Sequence, residues 1–172
     1  HHHGYIEAVV SKPEITQEGK WLYITFQVSE GNRFRVGNID ISGDLIESKE
    51  ELLTLFKIRD EEYLSRNILR QDILQLNDYY AEHGYAFAEA TPAINMNKED
   101  NIVDIHIHIS KGELVYINRI TIKGNTRTRD KVIRRDILVR EQGIFDSKAL
   151  RLSHQQLQRL DFFEDVSITP EP

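Results

Sequence analysis

The chain has 172 residues, 40% hydrophobic and 29% charged, which is enough apolar material for one or two small cores. Its net charge of −6 argues against nucleic acid as the main partner, because phosphate binding calls for a basic face. There is no cysteine, which excludes disulfides and thiol chemistry, and no apolar run of about 18 residues, which excludes a membrane-spanning helix.

His1, His2 and His3 read as the remnant of a purification tag and are set aside from fold reasoning. Residues 5–15 and 21–30 then read as two strands, YIEAVVSKPEI and WLYITFQVSE. Residues 34–41 form a third, ended by the turn glycine Gly43. Ser48-Lys49-Glu50-Glu51 is a capping box that opens a helix. Ser65 caps a second helix to about residue 82, with Leu69, Ile73, Leu76 and Tyr80 on one face and Gly84 as its C-terminal cap. Two strands follow, at 85–94 and 102–109. In the latter Val103, Ile105, Ile107 and Ile109 alternate with Asp104, His106, His108 and Ser110, a half-buried strand with one wet face.

The pattern then starts again. Tyr116, Ile117, Ile120, Thr121 and Ile122 make a strand, Gly124-Asn125 a turn, and Thr128 a cap for a helix with Val132, Ile133 and Ile137 inward. Ser147 caps the last helix, with Leu150, Leu157 and Leu160 on one face and Ser153 small among them. A strand is expected around 164–169. Gly43 and Gly124 stand 81 residues apart, as do Gly31 and Gly112. A period that long is a small domain in tandem rather than a solenoid repeat.

The unit is strand, helix, helix, strand, strand, an α+β fold with a three-stranded mixed sheet covered by two helices. Its register gives residues 4–30 as the last two strands of a truncated copy, 31–112 as a complete copy, and 113–172 as a copy lacking its last strand. Orphan strands seek partners, so self-association through them is expected.

Chemistry-bearing clusters are sparse. His106 and His108 share one strand face, a possible metal pair without a foreseeable third ligand. His154 falls near an apolar stripe and reads as a rim or core histidine. Asp60-Glu61-Glu62 reads as a solvated loop. No nucleophile triad, phosphate-cradling loop or catalytic carboxylate pair stands out, so no cofactor is expected and the chain does not read as an enzyme. Arg134, Arg135, Asp136, Arg140 and Glu141 lie on the exposed flank of a helix and just beyond its end. Such alternating charge suits either solubility or a docking surface that fixes register through directional hydrogen bonds. The strand edges are a second possibility: Tyr85, Ala86, Phe87, Ala88, Glu89 and Ala90 begin an edge that could add a client strand, with Pro92 and Pro13 limiting pairing near the ends of the two candidate edges.

The βααββ unit resembles the polypeptide-transport-associated (POTRA) domain. GNTRTRDKVIRRDI (124–137) and LQRLDFFEDVSI (157–168) resemble the barrel-adjacent POTRA domain of the BamA family of bacterial outer-membrane protein assembly factors, and GYAFAEATPAI the corresponding strand of the domain before it. Asp136 stands where the family more often has glutamate. The resemblance covers everything after the tag. It implies the end of a third, a whole fourth and most of a fifth POTRA domain, at the periplasmic face of the outer membrane. It also implies unfolded outer-membrane precursors as clients and accessory lipoproteins, BamD in particular, docked where Arg134 and Glu141 lie. The family's membrane β-barrel is not in this chain. The competing readings are the POTRA region of a related transporter, of TamA type or a two-partner secretion pore, and a metal-dependent enzyme built on His106 and His108.

Overall fold

The computed structural model describes residues 9–29, 33–125, 128–160 and 166–167. They fall into two units. The first holds the described residues up to Ser42, with Glu47–Leu74 and Thr91–His108; the second holds Gly43–Ile46, Gln75–Ala90 and the described residues from Ile109 onward.

The chain opens with an antiparallel ribbon. β1 (Val9–Val10) pairs with β4 (Val28–Ser29), and β2 (Glu14–Glu18) with β3 (Trp21–Thr25). The strand expected at 5–15 is therefore two pieces, interrupted where Pro13 has no N–H to give; residues 5–8 lie outside the described ones. Gly19, at φ +61°, turns the hairpin. Ile15 faces Ile24 and Gln17 faces Leu22 across the ladder, so Ile15, Leu22 and Ile24 share one face, and all three are exposed.

A three-stranded sheet follows, in the order β5-β7-β6: β5 (Arg35–Gly43), β6 (Glu89–Asn97) and β7 (Ile102–Ser110). Arg35 N–H donates to Asn101 O and Asp44 N–H to Ile109 O, so β5 runs parallel to β7. β7 alternates as expected, with Val103, Ile105, Ile107 and Ile109 essentially inaccessible. Besides Val103, Ile105 and Ile107, the buried apolar side chains of the first unit are Phe34, Ile41, Phe56, Ile58, Leu64, Leu52 of α1 (Lys49–Thr54) and Leu69 of α2 (Arg66–Glu82). A sheet face and the inner stripes of two helices thus supply one core, the α+β layer that the unit calls for.

The capping box is present: Ser48 Oγ accepts from Glu51 N–H and donates to the Glu51 carboxylate, both at 3.3 Å. Ser65 Oγ accepts from Ile68 N–H at the start of α2. After α1, a 3₁₀ turn (Lys57–Asp60) is held by Asp72 of α2, whose Oδ2 accepts from Ile58 N–H at 2.9 Å. Asp72 is fully buried and its Oδ1 makes no hydrogen bond.

In the second unit the buried positions are Leu76 and Tyr80 of α2, Ala90, Ile109, Ile133 of α3 (Asp130–Arg135), Val139, and Ser153 and Leu157 of α4 (Ser147–Gln158). The Tyr80 hydroxyl donates to Asp44 O at 3.0 Å, which fixes the turn after Gly43; burial pushes its pKa above 10.0. Gly43, at φ +105°, has the Ile109 carbonyl where a Cβ would sit, so only glycine fits. Ser153 is small because it is used twice, donating to Ala149 O and accepting from Leu138 N–H.

Four expectations are corrected. The strand placed at 85–94 starts at Glu89, because the chain leaving α2 first closes a cap: Gly84 is at φ +94°, Tyr85 N–H returns to Tyr80 O, and Ala88 N–H to Tyr85 O. Pro92 consequently lies inside β6 rather than near its end. Thr128 does not cap α3; Arg129 holds that position without a side-chain bond. Ser147 does not cap α4 either. Asp146 does, accepting from Ala149 N–H at 2.9 Å, since a carboxylate also gains from the helix dipole. The strand expected at 116–122 is reduced to one bridge, Tyr116 to Ile144. Of the last strand, only Val166 and Ser167 are described; the rest lies outside the described residues.

Candidate partner-docking site

The charged flank is built on α3. Asn125 Nδ2 donates to Thr128 O at 2.9 Å and to Asp130 Oδ1 at 3.3 Å, which closes the turn behind Gly124, itself at φ +83°. Asp130 then opens the helix, favourable beside its positive end. One turn later Arg134 meets it, Nε to Oδ2 at 3.3 Å.

Arg134 is engaged three ways. Nη1 donates to Glu141 Oε1 at 3.3 Å, and Nη2 donates to Ile120 O at 2.8 Å. Glu141 Oε1 in turn accepts from Ile120 N–H at 2.9 Å. Both backbone groups of Ile120 are therefore taken by one ion pair. That contact with the Ile120 amide, aided by Arg134 and Arg119, holds the Glu141 carboxyl below its usual 4.5. Arg134 and Glu141 remain 42% exposed, open enough to meet a partner. Arg135 differs: its side chain is 71% exposed, with Asp136 at 3.6 Å. Ile120, Ile137 and Val139 floor a shallow depression rimmed by Arg134, Arg140 and Glu141. An apolar floor within a charged rim is the general build of a protein interface.

The sequence brings Arg134 and Glu141 to notice by charge alone. Their shared hold on Ile120 is invisible there, because it depends on where the chain turns. The Asp130-Arg134 spacing, four residues on one helix, is the one signal that could have found the third member.

The residues named for the strand edge fall in two places. β6 ends the sheet, and Glu89 and Ala90 belong to it, whereas Tyr85, Ala86, Phe87 and Ala88 form the turn. Ala90 N–H is already given to Asn77 Oδ1 of α2 at 3.0 Å. The open part of the edge is therefore 91–97, where Thr91, Pro92 and Ala93 are exposed. A proline inside an edge strand blunts pairing at one rung.

His106 and His108 do share a face, and both rings reach Ser42 Oγ, from Nε2 at 2.8 Å and Nδ1 at 3.4 Å. The other nitrogen of His106 faces Asp40 at 3.6 Å, and Asp40 is bonded to Lys49 at 2.9 Å, which lowers the Asp40 pKa. No group of three metal-ligating side chains forms among the described residues. His154 is half-buried, with Nε2 at 2.7 Å from Val166 O, a structural position. Asp60, Glu61 and Glu62 are exposed, and Glu62 pairs with Arg35 at 3.7 Å. No helix of the described residues is long and apolar enough to cross a membrane.

Known proteins are similar to this chain along most of its length. BamA from Nitratidesulfovibrio vulgaris, an outer membrane protein assembly factor, is 36% identical over 168 residues, 95% of this chain and 21% of its own length. BamA from Neisseria meningitidis serogroup B is 32% identical over 150 residues, 87% of this chain and 19% of its own. The chain thus spans about a fifth of these relatives. Among solved structures, the POTRA3-5 segment of Haemophilus influenzae BamA superposes with a TM-score of 0.76 at 20% identity, covering 96% of this chain and 66% of that one. BamA from Haemophilus ducreyi lacking POTRA domains 1-3 gives 0.69 at 24% identity, covering 79% of this chain and 26% of that one. The POTRA family, described as "Surface antigen variable number repeat", matches residues 34–112 and again 115–172. With two matches covering most of its length and the strand, helix, helix, strand, strand order in the first of them, the chain belongs to the POTRA family.

Proposed function

We propose that the chain is a periplasmic scaffold module of the machinery that assembles outer-membrane β-barrel proteins. It binds unfolded client strands by β-augmentation and docks accessory lipoproteins, BamD in particular. The observation that carries this reading is the match of two successive segments to the POTRA family within relatives that are themselves BamA assembly factors. Those relatives are assembly factors rather than enzymes, which supports a role in binding and positioning. On this reading 4–30 close one POTRA domain, 31–112 form the next, and 113–172 belong to the domain beside a membrane β-barrel.

The geometry supports both halves of the role. The open stretch of β6 offers backbone groups to an extended chain, a recognition that tolerates many client sequences because most of it is main-chain hydrogen bonding. Arg134, Arg135 and Glu141, around the Ile120-Ile137-Val139 depression, offer directional charged contacts to a folded partner. No nucleotide or metal enters this reading.

The test of docking is a binding assay between the immobilised chain and its cognate lipoprotein. Arg135→Glu removes an exposed cation that holds no backbone group, and Arg134→Glu and Glu141→Lys reverse the pair. A fall to a tenth of the parent affinity or less, with folding confirmed by circular dichroism, is expected for at least Arg135→Glu, on the order of 2 kcal/mol for a charge-assisted contact. Unchanged binding in all three moves the docking surface elsewhere.

A further inference from the structure

The segment after Val115 begins as one rail of a ladder. Phe145 N–H donates to Val115 O at 2.8 Å, Ile117 N–H donates to Gly143 O at 2.9 Å, and Gln142 N–H donates back to Ile117 O at 2.6 Å. The opposite rail then ends. Gln142 sits at φ +61°, a left-handed backbone in a non-glycine residue, and turns the chain away. Its side chain spans one more step, Nε2 donating to Asn118 O at 2.9 Å. At Ile120 the rail is replaced by side chains, with Glu141 Oε1 on the N–H and Arg134 Nη2 on the carbonyl.

A strand partner would satisfy one N–H and one carbonyl at such a rung. The ion pair does the same chemically: a carboxylate accepts, a guanidinium donates, and the two are bonded to each other at 3.3 Å. Asp130 steadies the arginine from the other side.

We infer that Arg134 and Glu141 form a lock that stands in for a strand at Ile120, and that its release opens 119–122 as an edge able to pair with an extended chain. This deepens the docking reading and rests on it in one respect. A docked partner that draws Arg134 or Glu141 into its own ion pairs would release the edge, so docking and strand capture at this domain are coupled.

The lock is tested on the chain alone, by NMR-detected amide exchange at Ile120. Glu141→Ala removes the acceptor, and Glu141→Gln keeps a carbonyl oxygen there without the charge. Glu141→Ala is expected to speed Ile120 exchange about tenfold against amides of α4, and Glu141→Gln to leave it within about threefold of the parent. Unchanged exchange in Glu141→Ala overturns the lock, as does equal acceleration in Glu141→Gln. Should Glu141→Ala not fold, Glu141→Leu, which fills the space of the side chain and carries no acceptor, supplies the same reading. The edge is tested by adding a synthetic peptide of alternating apolar and polar residues to Glu141→Ala. Shifts at 119–122 that the parent lacks support it, and loosened Ile120 without peptide binding there overturns it. Because no lipoprotein is present, these results stand apart from the docking assay. Docking that needs the carboxylate charge is lost in Glu141→Gln even though the lock holds.

Discussion

Asp72 is the most exacting single side chain in the molecule. It is fully buried on α2, it holds Ile58 N–H, and its second oxygen has no hydrogen bond. A buried carboxylate is retained at such a cost only where its bond fixes something, here the 3₁₀ turn that follows α1. Asp72→Ala should lower stability by about 1–3 kcal/mol in urea unfolding, and Asp72→Asn by less, since an amide oxygen still accepts. Equal stability of Asp72→Ala and the parent would show that the turn holds without it. Glu141 makes a prediction in pH. Its folded pKa is depressed below 4.5, so the stability it lends is fully present above the unfolded value and disappears as pH falls through the folded one. The parent should therefore be more stable than Glu141→Gln in urea unfolding above the ordinary carboxylate range, and the difference should shrink as acid protonates Glu141, in a titration that the Ile120 N–H bond first, then Arg134 and Arg119, shift downward. A difference lost already near neutral pH would point to another group.

At the scale of elements, what the sequence carries depends on how local the cause is. Helix α2 and strand β7 were legible because their apolar residues recur at helical and alternating spacing, and burial follows that spacing residue by residue. Gly43, Gly84 and Gly124 were legible because a left-handed backbone has few other occupants. The start of β6 was not, since Tyr85 to Ala88 have strand-like composition and are held as a turn by the cap on α2. The strand at 116–122 failed for a related reason: β-propensity is present, but its rungs are filled by a loop and by side chains. The cap of α4 was misplaced by one residue, where aspartate and serine compete in adjacent positions. Asp146→Ala should cost about 1 kcal/mol in thermal unfolding. Ser147→Ala should be neutral or slightly stabilising, because the serine hydroxyl is buried and makes no hydrogen bond. The opposite order would restore Ser147 as the cap. Of the candidate site, the charges were readable and the lock was not, because nothing in the order of residues says that Ile120 lies between Arg134 and Glu141.

For the whole molecule, two POTRA segments stand in succession, and the relatives that the chain matches are assembly factors. Its three-stranded sheet ends at β6, where among the described strands none pairs with the outer side of 91–97, a run interrupted by Pro92, and Ala90 is committed to Asn77. Strand addition at such an edge is weak and sequence-tolerant, which is what the proposed handling of unfolded clients calls for. The most direct measurement is an NMR titration of the isotope-labelled chain with a peptide taken from a membrane strand of an outer-membrane β-barrel protein. The account predicts saturable, fast-exchanging shifts centred on the amides of β6 from Thr91 to Asn97, with Ala90 little changed. No shifts at saturating peptide, or shifts that leave β6 untouched, would contradict it.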